Sequence, residues 1–260
     1  MDLVLGRSAF PGPAIEAGAA GATFAGEATF DGCVAVTHWP RADVERLLPA
    51  ELELAANVSP RPDVHPLVCA FGNQTQGSWI WGGFTLPVGL EYFELLIGLP
   101  FVKHRRGHLL HTYIPRMYAG NPASVWDGNV RYGLSKQLAE MRWWGSTFVL
   151  TTEQGTPLFH AVVETANEGA ASAATAPAVC TVAEVFSLPV LGRKETGELV
   201  GSYFAWDLDA ALIDTAEACL TIDAPLGAGL EPRVFHGTRA GTIVVREMNW
   251  KLSWPMRCRF

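Results

Sequence analysis

The sequence predicts a strand-dominated α+β protein, with a curved sheet or a closed, barrel-like core and a few helices. Three observations predict this. Runs of β-branched and aromatic residues recur along most of the chain, separated by Gly, Pro or Asn. Helix-start and helix-stop signals frame two short stretches. So many strands in one domain need a closed or strongly curved sheet to bury their edges. With 260 residues, 49% of them hydrophobic and 17% charged, the chain is long and apolar enough for a sizeable core.

The elements follow in order. Residues 1–27 are rich in Gly, Ala and Pro and read as an extended N-terminal arm; residues 28–260 read as one domain. A strand is expected over 28–39, ATFDGCVAVTHW. In PRADVERLLP, Pro40 suits a first helical turn, Val44, Leu47 and Leu48 share a face, and Pro49 ends it. HPLVCAFGNQ and LEYFELLIGLPFV read as strands. HLLHTYIPRMY does too, with Pro115 making it an edge or bulged strand. NPASVWDGNVRYG (121–133) has Asn121 as N-cap, Pro122 at the first helical position, an apolar face of Val125, Trp126 and Val130, and Gly133 as stop. STFVLTTE, TPLFHAVVETA, CTVAEVFSLPV, GSYFAWDL and GTIVVREMNWKLSW complete the strand-like runs, and NEGAASAATAPA (167–178) reads as a long loop within the domain.

Composition excludes several classes. Net charge is −7 with no basic stripe, which argues against nucleic acid, and the basic patch KHRRGH (103–108) reads as a solvated turn. No apolar run is long enough to span a membrane and the first residues lack a signal-peptide pattern, so a protein of the cytoplasm is expected. Cys33, Cys69, Cys180, Cys219 and Cys258 are odd in number and widely spaced, without C-x-x-C, which fits a reducing compartment and no zinc site. The histidines show no H-E-x-x-H, and there is no phosphate loop or dinucleotide fingerprint, so neither a metal nor a cofactor is expected. A small-molecule substrate remains.

Two residues stand out chemically. The chain has four lysines, Lys103, Lys136, Lys194 and Lys251, and arginine fills its other basic positions. Lysine, unlike arginine, loses its proton when desolvated. Lys136 therefore has two readings: a surface lysine lying along Leu134 and Leu138, or an amine meant to be free. Glu94 lies in the apolar run EYFELLIGLP, on the same strand face as Tyr92. That face looks either to solvent or inward; if inward, burial makes Glu94 an acid/base candidate.

YFELLIGLP (92–100) followed by YAGNPASVWDGNVRYGLSKQL (118–138) resembles the acetoacetate decarboxylase superfamily. ADVERLLPAELEL (42–54) is similar to that family's short helix and the segment after it. The resemblance implies the decarboxylase-like fold, a homo-oligomer, a Schiff-base lysine at Lys136, the strand-borne acid at Glu94, and an apolar pocket wall near Met117 and Leu134. Tyr92, Gln137 and Arg116 are the further expected substrate contacts, with Arg131 a second candidate clamp. The departures are specific. Gln137 stands where the decarboxylases have a second lysine, Gly128, Asn129 and Val130 replace G-R-E, Ser135 replaces a proline, and Phe30 falls at an arginine position.

A lysine attacks a ketone only as the neutral amine, and its ordinary pKa is about 10.4. Without a second lysine, burial must supply the activation, or Arg131 or Arg116 must lie close. The resemblance thus implies a Schiff-base lyase on a keto acid or ketone, with aldol condensation and dehydration through a Lys136 imine as the leading chemistry. Decarboxylation of an acetoacetate-type β-keto acid is the alternative. A third reading is an imine-independent cyclase or apolar-ligand pocket, in which Trp79, Trp81, Trp126, Trp143 and Trp144 are either core or cavity wall.

Overall fold

The computed structural model describes residues 23–56, 58–59, 61–165, 177–222 and 233–258. They form one mixed sheet of sixteen strands that curls without closing. The first half supplies β1 (Phe24–Pro40), β2 (Leu52–Leu54), β3 (Val64–Trp81), β4 (Phe84–His104), β5 (His111–Ala119), β6 (Lys136–Leu138), β7 (Glu140–Trp144) and β8 (Thr147–Thr151). The second supplies β9 (Pro157–Thr165), β10 (Val190–Arg193), β11 (Leu199–Ser202), β12 (Phe204–Asp207), β13 (Leu212–Ile222), β14 (Arg233–Gly237), β15 (Thr242–Ser253) and β16 (Met256–Arg257). Along the sheet the order is β16-β11-β10-β5-β4-β3-β1-β15-β13-β9-β8-β7, with β2, β6, β12 and β14 attached beside this path.

Two helices sit where the sequence signals place them: α1 (Arg41–Glu45) and α2 (Pro122–Asp127). A π-helical turn, Gly128–Tyr132, extends α2 and ends at Gly133, whose φ of 63° is the left-handed stop. The third helix, α3 (Pro177–Phe186), corrects the strand expected in CTVAEVFSLPV. β-branched residues suggested a strand, but Ala178, Val179, Val182 and Val185 form a helical stripe that packs with Val34, Val36 and Val245. Packing outweighs propensity here. The expected loop over 167–178 lies outside the described residues except for Pro177 and Ala178. Residues 1–22 of the expected arm lie outside them too, and β1 begins at Phe24, before the expected 28.

Two further differences are local. β5 is an interior strand, not an edge: β4 pairs along one side, while β10 and β6 pair at opposite ends of the other. Register shifts around Leu99 bulge the strand at Pro115, and no partner strand on the second side needs the N–H that proline lacks. β3 and β4 also run far beyond the predicted strands, as a long hairpin turning at Gly82 and Gly83.

The curl gives the sheet a closed inner face. Phe71 on β3 stacks against Phe148 on β8 and Phe159 on β9 at centroid distances of 5.0 and 5.4 Å, so the far strands fold back over the near ones. All three rings are fully buried, and each contributes roughly 1.5–3 kcal/mol of apolar burial. The opposite face of β3 and β4 carries the candidate site. No helix among the described residues is long and apolar enough to cross a membrane.

Candidate active site

Strand alternation builds the floor of a cavity of about 130 Å3. On β4, Tyr92, Glu94 and Leu96 point into it, while Phe93, Leu95 and Ile97 point to the closed face. Met117 on β5 lies opposite Leu96, and Lys136 on β6 lies opposite Met117. Phe30, Gln74, Trp250 and Trp206 continue the floor across β1, β3, β15 and β12. The helix α2 and its π-turn form the roof.

The roof inverts the expected pattern. Trp126 and Val130, expected as an apolar face, are 62% and 52% exposed. The stripe turned inward is Ser124, Asp127, Gly128 and Arg131, at helical spacing. Asn121 caps the helix as expected, accepting hydrogen bonds from the Ala123 and Ser124 backbone N–H groups at 2.9 and 3.1 Å. That cap fixes where Ser124 stands.

Lys136 is held from three sides. The Asn129 side chain accepts from the Lys136 N–H at 2.6 Å and donates to its carbonyl at 2.9 Å. Ser135 just before it is held at φ 50°, a left-handed conformation that costs a non-glycine residue roughly 1–3 kcal/mol. Gly128 leaves room for the lysine stem, because a methyl group there would lie 2.6 Å from Lys136 Cδ.

The amine ends in a buried network. Lys136 Nζ donates to Glu94 Oε2 at 2.7 Å and to Ser124 Oγ at 2.9 Å, and Ser124 Oγ donates to the Tyr92 hydroxyl at 3.0 Å. The Lys136 and Glu94 side chains are only 8% and 10% exposed. The other Glu94 oxygen accepts from Gln74 Nε2 at 3.4 Å, while Gln74 Oε1 accepts from the Trp250 indole N–H at 2.8 Å. The indole, a donor only, sets the orientation of the Gln74 amide. Burial alone pushes the Lys136 ammonium down; Glu94, with Tyr92 and Asp127, pushes it up, and the net direction is upward. Lys136 therefore rests as the ammonium. This corrects the expectation of an amine freed by burial: the nearest charge is an anion. Burial pushes the Tyr92 hydroxyl and the Asp127 carboxyl upward.

The expected site residues thus divide. Lys136, Glu94, Tyr92, Met117 and Leu134 line one cavity. Gln137 and Arg116 lie outside that lining. Gln137 follows Lys136 on a strand, so alternation turns it to the exposed side. Arg116 precedes Met117 and pairs with Ile97, on the closed-face side of β4. Arg131 does reach the cavity, but it ion-pairs with Asp127 at 2.8 Å and lies over Trp254. Of the five tryptophans read as core or wall, Trp79 lines the cavity, Trp143 packs on Phe71 and Phe148, and Trp81, Trp126 and Trp144 are exposed. Phe30, where the resemblance implies an arginine, is wall. Ser124 and Gln74 were missed by sequence reasoning; the capped helix start offered a signal for Ser124. Among the described residues no three His, Cys, Asp or Glu side chains converge as a metal site.

No family model matches the chain, and no curated protein matches it by sequence. Solved structures do match it in three dimensions. The chain is similar to an acetoacetate decarboxylase from Legionella pneumophila, 13% identical, over 92% of this chain and 89% of that one, with a TM-score of 0.58. It is similar to an acetoacetate decarboxylase-like enzyme from Sphingomonas wittichii RW1, 12% identical, over 90% and 93%, with a TM-score of 0.59. It is also similar to the enduracididine biosynthesis enzyme MppR, in complex with the condensation product of pyruvate and imidazole 4-carboxaldehyde, 15% identical, over 90% and 88%, with a TM-score of 0.57. The chain has the acetoacetate decarboxylase-like fold.

Proposed function

We propose that this protein is a Schiff-base-forming lyase that joins carbonyl compounds by aldol condensation and dehydration through Lys136. The observation that supports this most is the buried Lys136–Glu94 pair at 2.7 Å, facing a largely apolar cavity. An isolated structural lysine has no need of such a position, and a buried pair is by itself a weak source of stability.

The steps balance around these two groups. Glu94 takes a proton from the Lys136 ammonium, and the free amine adds to the carbonyl carbon of a ketone or keto acid. Protonated Glu94 then gives its proton to the carbinolamine hydroxyl, water leaves, and a protonated imine remains. Glu94, again a carboxylate, removes an α-proton and the imine becomes an enamine. The enamine carbon attacks an aldehyde carbon, and the new alkoxide takes the proton from Glu94. Glu94 next removes a second α-proton and returns it to the departing hydroxyl, so water is lost. A second water releases the unsaturated product and restores the amine. Ser124 holds the amine's other side, Tyr92 holds Ser124, and the two hydroxyls receive the carbonyl oxygen. A protein of similar fold, MppR, has been seen with the condensation product of pyruvate and an aldehyde, which makes condensation on this fold a precedent beside decarboxylation.

The test is α-hydrogen exchange. Incubation with butanone in D2O, followed by proton NMR, should show deuterium at the α-carbons with wild type and only background exchange with Lys136→Ala. Background exchange with wild type would contradict the proposal. Rapid release of carbon dioxide from acetoacetate would select the decarboxylase alternative.

A further inference from the structure

The cavity's charges are already spoken for. Lys136 pairs with Glu94 at 2.7 Å, Arg131 pairs with Asp127 at 2.8 Å, and Lys251, just behind the wall, pairs with the lining Glu27 at 3.3 Å. Glu27 pairs in register with Lys251 and shares its outer face, which leaves two lining carboxylates, Glu94 and Asp127, against two cations, Arg131 and Lys136, a net charge of zero. A substrate carboxylate entering here would compete with Asp127 for the Arg131 guanidinium, and the lining offers it no cation free of a carboxylate neighbour. Burying an unpaired charge costs several kcal/mol.

The rest of the wall is apolar and aromatic. Phe204 and Trp206 stack at 5.1 Å, Trp250 tilts against Phe204 at 5.4 Å, and all three face the cavity. Phe30 and Trp79 extend this surface toward Tyr92. Edge and face contacts of this kind suit another ring. The volume agrees: about 130 Å3, on the scale of the ~150 Å3 apolar cavity that accepts benzene.

We infer that the imine-forming substrate is a neutral carbonyl compound with an apolar body about the size of one aromatic ring, and not a keto-acid anion. The inference rests on the imine chemistry proposed above and narrows its substrate. The carbonyl reaches Lys136 and Ser124 at the polar corner, and the body lies along Phe204, Trp206 and Trp250.

The test compares four probes that separate charge from size: 4-phenylbutan-2-one, 2-oxo-4-phenylbutanoate, acetone and pyruvate. Each is incubated with the full chain and reduced with cyanoborohydride, and Lys136 labelling is read by peptide mass. Each rate is divided by that of a free lysine derivative, which removes the greater intrinsic reactivity of 2-oxo acids. The aryl ketone should label Lys136 at least about tenfold more than each of the other three, since it alone fills the wall without an unpaired charge. Equal or better labelling by 2-oxo-4-phenylbutanoate would overturn the neutral-substrate claim, and equal labelling by acetone would overturn the claim of an apolar body. If no probe labels Lys136, the imine reading fails, and calorimetry on the unreduced mixtures decides the substrate class. Binding of the aryl ketone at least about tenfold tighter than its 2-oxo acid would uphold it, and equal or reversed affinities would overturn it.

Discussion

Strand β4 carries two unlike surfaces one residue apart. Phe93, Leu95 and Ile97 face a packed interior of rings and branched chains. Tyr92, Glu94 and Leu96 face a cavity that keeps an ion pair and open volume. Both faces are apolar in outline, and both are sheltered. The difference lies in what covers them. The first is covered by the curled-back strands β7, β8 and β9, which bring Phe148 and Phe159 into van der Waals contact. The second is covered in part by a short helix and a π-turn, which turn Ser124 and Asp127 inward. Strand alternation, not distance along the chain, separates the packed core from the candidate site. It also yields variants that should damage one face and spare the other.

The largest selective effect is expected from Glu94→Gln. Loss of the proposed proton carrier should lower turnover about 10²- to 10⁴-fold, the usual scale for a general acid/base. The same change should move the Lys136 titration. In wild type Glu94, Tyr92 and Asp127 together outweigh burial and hold the ammonium above its ordinary value. The pair's contribution to stability is therefore fully present below the unfolded lysine pKa of about 10.4, and is lost as pH rises through the higher folded value. In Glu94→Gln the downward push of burial remains, so Lys136 should become reactive toward a neutral acylating reagent at lower pH than in wild type. A reactivity profile against pH reads this directly. An unchanged profile would mean that Glu94 does not set the amine's charge.

On the closed face, Phe148→Ala should cost about 3–5 kcal/mol in denaturant unfolding, because a fully buried ring leaves a cavity. The activity of the remaining folded molecules should stay within about twofold, as Phe148 lies outside the cavity lining. A large loss of kcat per folded molecule would show that the two faces are coupled.

Gly128→Ala is expected to do the reverse. Its backbone is ordinary right-handed helix, so the substitution adds no backbone strain, and any stability lost comes from the disturbed Lys136–Glu94 pair. The added methyl would meet the Lys136 stem at 2.6 Å and displace the amine. Misplacement on the order of 1 Å costs about 100-fold in rate. Undiminished turnover would contradict the assigned position of Lys136. Smallest of the set, Gln74→Met should lower kcat about tenfold with KM nearly unchanged, because the Gln74 amide is already engaged by Glu94 and the Trp250 indole and the methionine keeps its place in the floor. A rise in KM without a fall in kcat would assign Gln74 to substrate binding instead.

Much of this was legible in the residues. Period-two alternation placed Tyr92 and Glu94 on one face, and Asn121, Pro122 and Gly133 marked both ends of the helical roof. The curled sheet was foreseen; whether it closed was not, because closure depends on where the last strands meet. Gln137 was misplaced because Lys136 was read as following a helix, whereas it opens a strand, and there neighbours point apart. Arg116 and Met117 were both read on one strand, where neighbours point apart, so only Met117 lines the cavity. Helix α3 was hidden by its β-branched residues, and its identity comes from packing on Val34, Val36 and Val245. The long hairpin of β3 and β4 had a Gly82–Gly83 turn signal that went unread. Gln74 and Gly128 act through partners distant in sequence, Glu94 and Lys136, and a single sequence does not reveal such pairs.

The central claim is that Lys136 forms the imine, and cyanoborohydride trapping followed by peptide mass mapping tests it most directly. With 4-phenylbutan-2-one, and with pyruvate and acetone as companions, a reduced adduct is predicted on Lys136, absent from Lys103, Lys194 and Lys251 and lost in Lys136→Ala. Adducts spread evenly over the four lysines, or none on Lys136 with any of the carbonyl compounds, would contradict it.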